Sequence, residues 1–388
     1  MSNASISLNR PSFAAVCLAG LVALAMAMGI GRFAFTPMLP LMIRAGSADV
    51  AAGGWLAAAN YAGYLLGALT TARLGLGPQR TGLLSLALIA ASTAAMGWSD
   101  SLAGWLLWRF VAGVASAWAL VSTSVWCLAW LARFERPAGP GLLYAGVGIG
   151  IALAGFHCWR AGAAGVAPDA LWLQMGAIAL AGLVLVALLM PRELPAPAAA
   201  ATAGTHAGGG VSWGLVVSYG LLGFGYILPA TFLPVLARAV VDDPAVFGAA
   251  WPVFGAAAAV STLVASLVLS KVARRHVLAG SHLLMALGCV LPVLHLSATT
   301  VLLAALLVGG TFMVATMAGM QEARARAVGD PTRALGRMTA AFAIGQMAGP
   351  MLSSALSGRS QGFGGLFVAL VAGALALAGS AAWLLRGR

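Results

Sequence analysis

Charge is what this sequence has least of. Of its 388 residues only 9 are Asp or Glu and 21 are Lys or Arg, so charged residues make up 8% of the chain, against roughly a quarter in soluble domains. A water-soluble fold of this length would lack the polar residues to cover its own surface. Cysteine is also scarce: Cys17, Cys127, Cys158 and Cys289 each stand in or beside an apolar stretch and form no disulfide framework. Motifs of catalysis are thin. There is no His-Glu-x-x-His, no Walker phosphate loop and no metal-spaced set of cysteines and histidines, so no enzyme, cofactor, metal or ATP-driven pump is expected.

What the chain does have is apolar length. Hydrophobic residues reach 61%, and at about 20 residues per crossing there is room for a dozen membrane helices. The pattern predicts spans over roughly 13–41, 52–72, 81–98, 102–131, 139–158, 170–190, 212–237, 247–270, 277–295, 300–321, 334–357 and 363–385. The first run is too long for a cleaved signal and reads as a helix. With the N-terminus inside, 15 Lys or Arg fall on the inner side and 4 (Arg44, Arg160, Arg238, Arg359) on the outer, leaving Arg32 and Arg109 within spans. That bias predicts a multi-pass protein of a bacterial inner (plasma) membrane with both termini cytoplasmic. The net charge of +12 could suggest nucleic acid. The bases, however, sit between apolar runs in ones to fours with no basic–aromatic stripe, so lipid is the expected partner and nucleic acid is not.

Residues 191–211, with Pro191-Arg-Glu-Leu-Pro-Ala-Pro and Gly208-Gly-Gly, form a low-complexity cytoplasmic linker. It separates an N-terminal six-helix bundle (1–190) from a C-terminal one (212–388). The halves resemble each other. Gly29–Arg44 aligns with Gly223–Arg238 at an offset of 194 residues, with 5 of 16 positions identical: Gly29/Gly223, Gly31/Gly225, Leu39/Leu233, Pro40/Pro234 and Arg44/Arg238. Matched glycines and prolines at one offset point to duplication.

Two six-helix halves around a central cavity describe a rocker-type transporter. Gly29-Ile-Gly-Arg-Phe-Ala-Phe-Thr-Pro-Met-Leu-Pro and Asn60-Tyr-Ala-Gly-Tyr-Leu-Leu-Gly-Ala-Leu69 resemble the YbfB/YjiJ-type branch of the major facilitator superfamily. The resemblance implies an all-α integral membrane protein with 12 transmembrane helices in two six-helix halves, the major facilitator fold. The superfamily's markers are worn here. Its charged loop after the second helix corresponds to Ala72–Arg80, without the acid, and the loop after the eighth to Ser270–Arg275, with Ser270 in place of Asp. Arg73, Arg80, Lys271, Arg274 and Arg275 are thus candidate gating residues, positive-inside anchoring being the alternative. Arg109-Phe-Val-Ala-Gly113 resembles the fourth-helix Arg-x-x-Gln-Gly motif with Ala112 for Gln. Gly146-Val-Gly-Ile-Gly150 resembles the glycine motif of exporters without its proline, close helix approach being its alternative reading.

No carboxylate falls within a predicted span, although Glu322 sits at the inner end of the tenth. Two guanidiniums do. A guanidinium keeps its charge, and one at mid-bilayer costs at least about 3 kcal/mol unless it faces a wet cavity or the bundle interior. Arg32 and Arg109 are therefore candidate ligands for an organic anion, whose carboxylate suits a guanidinium fork. Arg109 has a structural or coupling role as its alternative. Asn60, Tyr61 and Tyr64 on the second helix, Trp118 on the fourth, Tyr144 on the fifth, Tyr226 at the repeat position of Arg32 and Gln346 on the eleventh complete the candidate substrate-binding set. For the aromatics packing is the better reading. Trp98, Trp105, Trp159 and Trp383 read as interfacial anchors. The expected protein is a monomeric secondary transporter of a small organic anion, with protons or a counter-transported anion as coupling partner. An exporter of hydrophobic or cationic compounds is the alternative, followed by a membrane sensor.

Overall fold

The computed structural model of the chain describes residues 11–195, 211–238, 240, 244–357 and 364–386. Arg10, most of the linker (196–210), Asp242, Asp243, Arg359 and Arg388 lie outside the described residues. Within them every regular element is helical.

The first rod joins α1 (Phe13–Leu24), a π-helical stretch (Ala25–Phe33) and α2 (Phe35–Arg44). It is followed by α3 (Val50–Thr70), α4 (Pro78–Met96), α5 (Leu102–Phe134), α6 (Ala138–Ala163) and α7 (Pro168–Leu189). The second half holds α8 (Trp213–Arg238), α9 (Pro244–Val268), α10 (Arg274–Leu294), α11 (Ala298–Arg326), α12 (Pro331–Ser357) and α13 (Gly364–Arg386). Among the described residues nine of these rods are long and apolar enough to cross a membrane. Large apolar side chains such as Leu188, Leu294 and Leu375 stand more than two-thirds exposed on the outside, as a lipid-facing surface requires and a water-facing one would not tolerate in such number.

Local chemistry sets the helix starts. Ser12, Asp49, Ser101 and Ser297 accept from backbone N–H groups of the first turns of α1, α3, α5 and α11, which satisfies donors the helix itself leaves open. The turn before α4 uses Gly75 at φ +66°, a conformation open to glycine. Pro78 occupies the first position of α4, where its missing N–H costs nothing. The string Gly210-Val-Ser-Trp-Gly214 has the spacing of a hydrolase nucleophile elbow, a device whose serine hydroxyl must stand free for attack. Here Ser212 accepts from Leu215 N at the start of α8.

Small residues bring backbones together. On one face of α6, Gly146 and Gly150 press on carbonyls of Leu21 and Ala25 in the first rod; on the opposite face, Gly141 and Gly148 meet Ser266, Gly255 and Ala259 of α9. The glycine motif at 146–150 thus serves two interfaces, one within the first half and one between halves. The two aligned segments pack in a similar way: Gly29 abuts the backbone of Gly150 on α6, and Gly223 abuts the backbone of Phe342 on α12. The halves also meet where α12 lies along α3, Gly336 facing the carbonyl of Ala68. In the second half a buried polar knot, Ser218 to Ser380 (2.7 Å) and Ser380 to His282 Nδ1 (3.1 Å), ties α8, α13 and α10 together. Trp105, expected as an interfacial anchor, is buried and donates to the carbonyl of Met96 (3.0 Å).

Candidate functional site

The site begins with the π-helical stretch. Residues 25–33, Ala-Met-Ala-Met-Gly-Ile-Gly-Arg-Phe, carry little bulk on the side facing α6 and α5, so neighbouring backbones come close enough to hold a widened turn. Such a turn misaligns the carbonyls of the ordinary helical ladder, and buried carbonyls must find other donors. Three side chains supply them. Ser116 Oγ donates to Ala27 O (2.8 Å), Arg109 donates through Nη1 to Gly31 O (3.3 Å) and through Nη2 to Arg32 O (3.2 Å), and Asn60 Nδ2 donates to Gly31 O (3.4 Å) and Arg109 O (2.9 Å). The Arg109 guanidinium also lies over the Phe35 ring, 4.7 Å from its centroid.

Arg32 leaves this stretch in the opposite sense, toward the second half. Its Nη2 donates to Gln346 Oε1 on α12 at 2.8 Å. Its Cζ stands 3.8 Å from the centroid of the Tyr64 ring, 5.5 Å from that of Phe33 and 5.7 Å from that of Tyr61. Its Nε and Nη1, together with Gln346 Nε2 and Tyr226 Oη, are buried without a partner. Three of those four atoms can only donate, and the fourth, a phenol, can do so.

These groups border a small void between the halves, with room in this conformation for about one water. Arg32, Tyr64, Met28 and Phe33 line it from the first half; Tyr219, Tyr226, Phe312, Met313, Thr316 and Phe342 line it from the second. Arg32 and Tyr226, equivalent positions of the internal repeat, face each other across it. Apart from Arg32 the wall is aromatic, thioether, hydroxyl or, at Leu120 and Val147, aliphatic.

The candidate set therefore divides. Arg32, Tyr64 and Tyr226 line the cavity, and Gln346 joins them through Arg32. Tyr61 stands beside Arg32 without lining the void. Arg109 and Asn60 lie behind the π-helical stretch and bond its carbonyls, so the two arginines do not form one cationic cradle. Tyr144 donates to Ser124 Oγ (2.9 Å) and Trp118 Nε1 to Thr70 Oγ1 (3.0 Å), both away from the cavity. Sequence reasoning missed Tyr219, Phe312, Thr316, Thr339 and Phe342. Their signal was helical spacing: 219 and 226 on α8, 312, 316 and 320 on α11, and 339, 342 and 346 on α12 each share one face.

The candidate gating residues occupy helix ends. Arg73 closes a 3₁₀ turn (Thr71–Arg73) after α3, and Arg73, Arg80 and Lys271 are exposed. Arg274 pairs with Glu322 (3.5 Å), which also pairs with Arg326 (2.6 Å). Arg275 is half-buried at the start of α10. Glu322 is thereby engaged at the end of α11 and does not serve Arg32.

A family model described as "Uncharacterised MFS-type transporter YbfB" matches residues 24–385. No curated protein matches the sequence. Among solved structures, the human organic anion transporter MFSD10 (TETRAN) superposes with a TM-score of 0.71 at 15% identity, covering 96% of this chain and 98% of that one. At that identity the likeness is one of fold.

Proposed function

This chain belongs to the YbfB-type family of major facilitator superfamily transporters, and we propose that it carries a small organic anion across the bacterial inner membrane by alternating access. The observation that carries this reading is Arg32: a buried guanidinium on the cavity wall, hydrogen-bonded to a neutral amide, with Nε and Nη1 unpartnered. A buried cation without a counterion is costly, and an anionic cargo supplies the missing charge. A carboxylate also accepts from the unpartnered donors.

In this reading twelve rods cross the membrane as two six-helix halves, 1–190 and 212–388, with both termini on the cytoplasmic side as the Lys and Arg distribution requires. The contact of Ala68 with Gly336 lies at the end that this orientation makes cytoplasmic, which fits a carrier closed toward the inside. Every described acid other than Glu322 lies at a helix start or in a connecting segment. Coupling therefore falls to the cargo's own carboxylate, through a co-transported proton or through exchange for a second anion. The aromatic and methionine wall also favours a second reading, export of hydrophobic compounds, but Arg32 disfavours cationic ones.

The test is thermal stabilisation of the purified protein by anionic, neutral and cationic metabolites, for the natural chain and Arg32→Ala. Stabilisation by anions, absent in Arg32→Ala, is expected. Stabilisation by lipophilic cations, or anion stabilisation that survives Arg32→Ala, sinks the proposal. Flux into proteoliposomes then separates transport from sensing.

A further inference from the structure

The cavity wall opposite Arg32 is a run of nearly parallel rings. Phe342 and Tyr226 lie 6.1 Å apart at 28°, Tyr226 and Phe312 4.8 Å at 21°, Phe312 and Phe254 5.6 Å at 19°, and Phe254 and Trp251 5.3 Å at 5°. Three of these rings line the void. On the other side the Arg32 guanidinium lies on the Tyr64 ring. The cavity thus has a donor end and a flat aromatic end, and among the described residues only one cation, Arg32, borders it.

Resting on the anion reading above, we propose that the cargo is a monoanion with a planar aromatic body: a carboxylate held by Arg32 with help from Tyr226 Oη, and a ring laid against the Tyr226–Phe312–Phe342 run. Charge count excludes a dianion, because a second carboxylate would lie among Met28, Met313 and Phe342 with no cation to meet it. Shape selects against an aliphatic chain. A ring gains offset-stacked or edge contacts with the wall beyond the area it buries, whereas a methylene chain gains area alone. Two such ring contacts favour the aromatic acid by roughly tenfold over an aliphatic acid of equal apolar area. The opposite wall is not interchangeable with this one. In the repeat the position of Arg32 holds Tyr226, so the cargo enters with a fixed sense, head to the first half and ring to the second.

The experiment measures binding to the full-length purified protein by thermal shift and calorimetry, with benzoate, indole-3-acetate, hexanoate, succinate and benzylamine as probes. Benzoate or indole-3-acetate should bind at least about tenfold more tightly than hexanoate or succinate. Phe312→Leu should lower the affinity of the aromatic acids more than that of hexanoate and so remove most of that margin; Tyr226→Phe should weaken all monoanions and spare the margin. Succinate or hexanoate binding as tightly as the aromatic acids, in an Arg32-dependent way, overturns the aromatic inference and leaves the anion reading standing. Binding of benzylamine in preference to every acid overturns both.

Discussion

Gln346→Glu is the most searching perturbation of this site, because it alters one atom group and reverses the electrostatics. The amide oxygen of Gln346 already lies 2.8 Å from Arg32 Nη2, so a carboxylate in its place needs no rearrangement to form an ion pair. Two unit charges about 4 Å apart at an effective dielectric constant near 20 attract by about 4 kcal/mol. Against this stands the cost of burying a carboxylate, so the stability of the unliganded protein should change by no more than about 2 kcal/mol in either direction. Binding responds far more. The resident carboxylate cancels the charge that draws the cargo, and a loss of about 4 kcal/mol is roughly a thousandfold in dissociation constant. The assay is calorimetric titration of the purified variant with whichever anion stabilises the natural protein. Gln346→Ala serves as control: it frees Nη2 and should leave anion affinity within a few-fold or improve it. If Gln346→Glu keeps its affinity within tenfold, Arg32 is not the anion's partner and the argument fails.

Arg109→Lys keeps the charge but replaces the planar fork, whose two nitrogens meet the carbonyls of Gly31 and Arg32 separately, with a single nitrogen. It should destabilise the protein by about 2–4 kcal/mol through one lost charge-assisted bond and the lost stacking on Phe35. The increment of stability that the anion adds should stay intact in thermal unfolding; loss of that increment at unchanged stability would make Arg109 a ligand contact instead. Gly148→Val places a branched side chain against Gly255 and Ala259 of α9. It should abolish flux in proteoliposomes with the fold retained or lost, while Gly54→Val, with open space around it, should leave flux unaffected. Glu322→Gln removes pairs to Arg274 and Arg326, both about half exposed. It should cost no more than about 1 kcal/mol of stability and leave anion affinity unchanged; a large affinity change would mean that Glu322 acts on Arg32 at a distance.

The fold was legible because hydropathy is a property of long runs. The span expected at 102–131 is the helix Leu102–Phe134, and the one at 334–357 is Pro331–Ser357; elsewhere too the ends differ by a few residues. Two features had no signature in composition. A π-helical stretch looks like any apolar segment with glycines, since its small residues only permit the widening that neighbours on α5 and α6 hold in place. The direction of a side chain on a membrane helix is equally silent, because a ring facing lipid and a ring facing a cavity score alike. That is why the sequence offered both arginines as candidate ligands, with a structural role only as the alternative for Arg109. The structure turns one back onto carbonyls and the other into the void. Polar residues were the better guides: Arg32, Asn60 and Gln346 are expensive in an apolar interior, and all three make the hydrogen bonds that build the site.

The similarity between the two segments bears on the asymmetry of the site. Positions 32 and 226, which align in sequence, both line one small void, so a charge at both would present two cations to it. With Tyr226 in the second copy, one wall carries the cation and the other carries the rings. A ligand shifts a conformational equilibrium only by binding its states unequally. A cargo whose head is held by the first half and whose body is held by the second binds strongly only when the two walls are close. In the proposed cycle such a cargo therefore favours the closed carrier over either open form. The Arg32–Gln346 hydrogen bond performs the same bridging without cargo, but weakly, because its acceptor is neutral. An acid there would hold the carrier shut on its own, which is the physical reason an amide suits position 346.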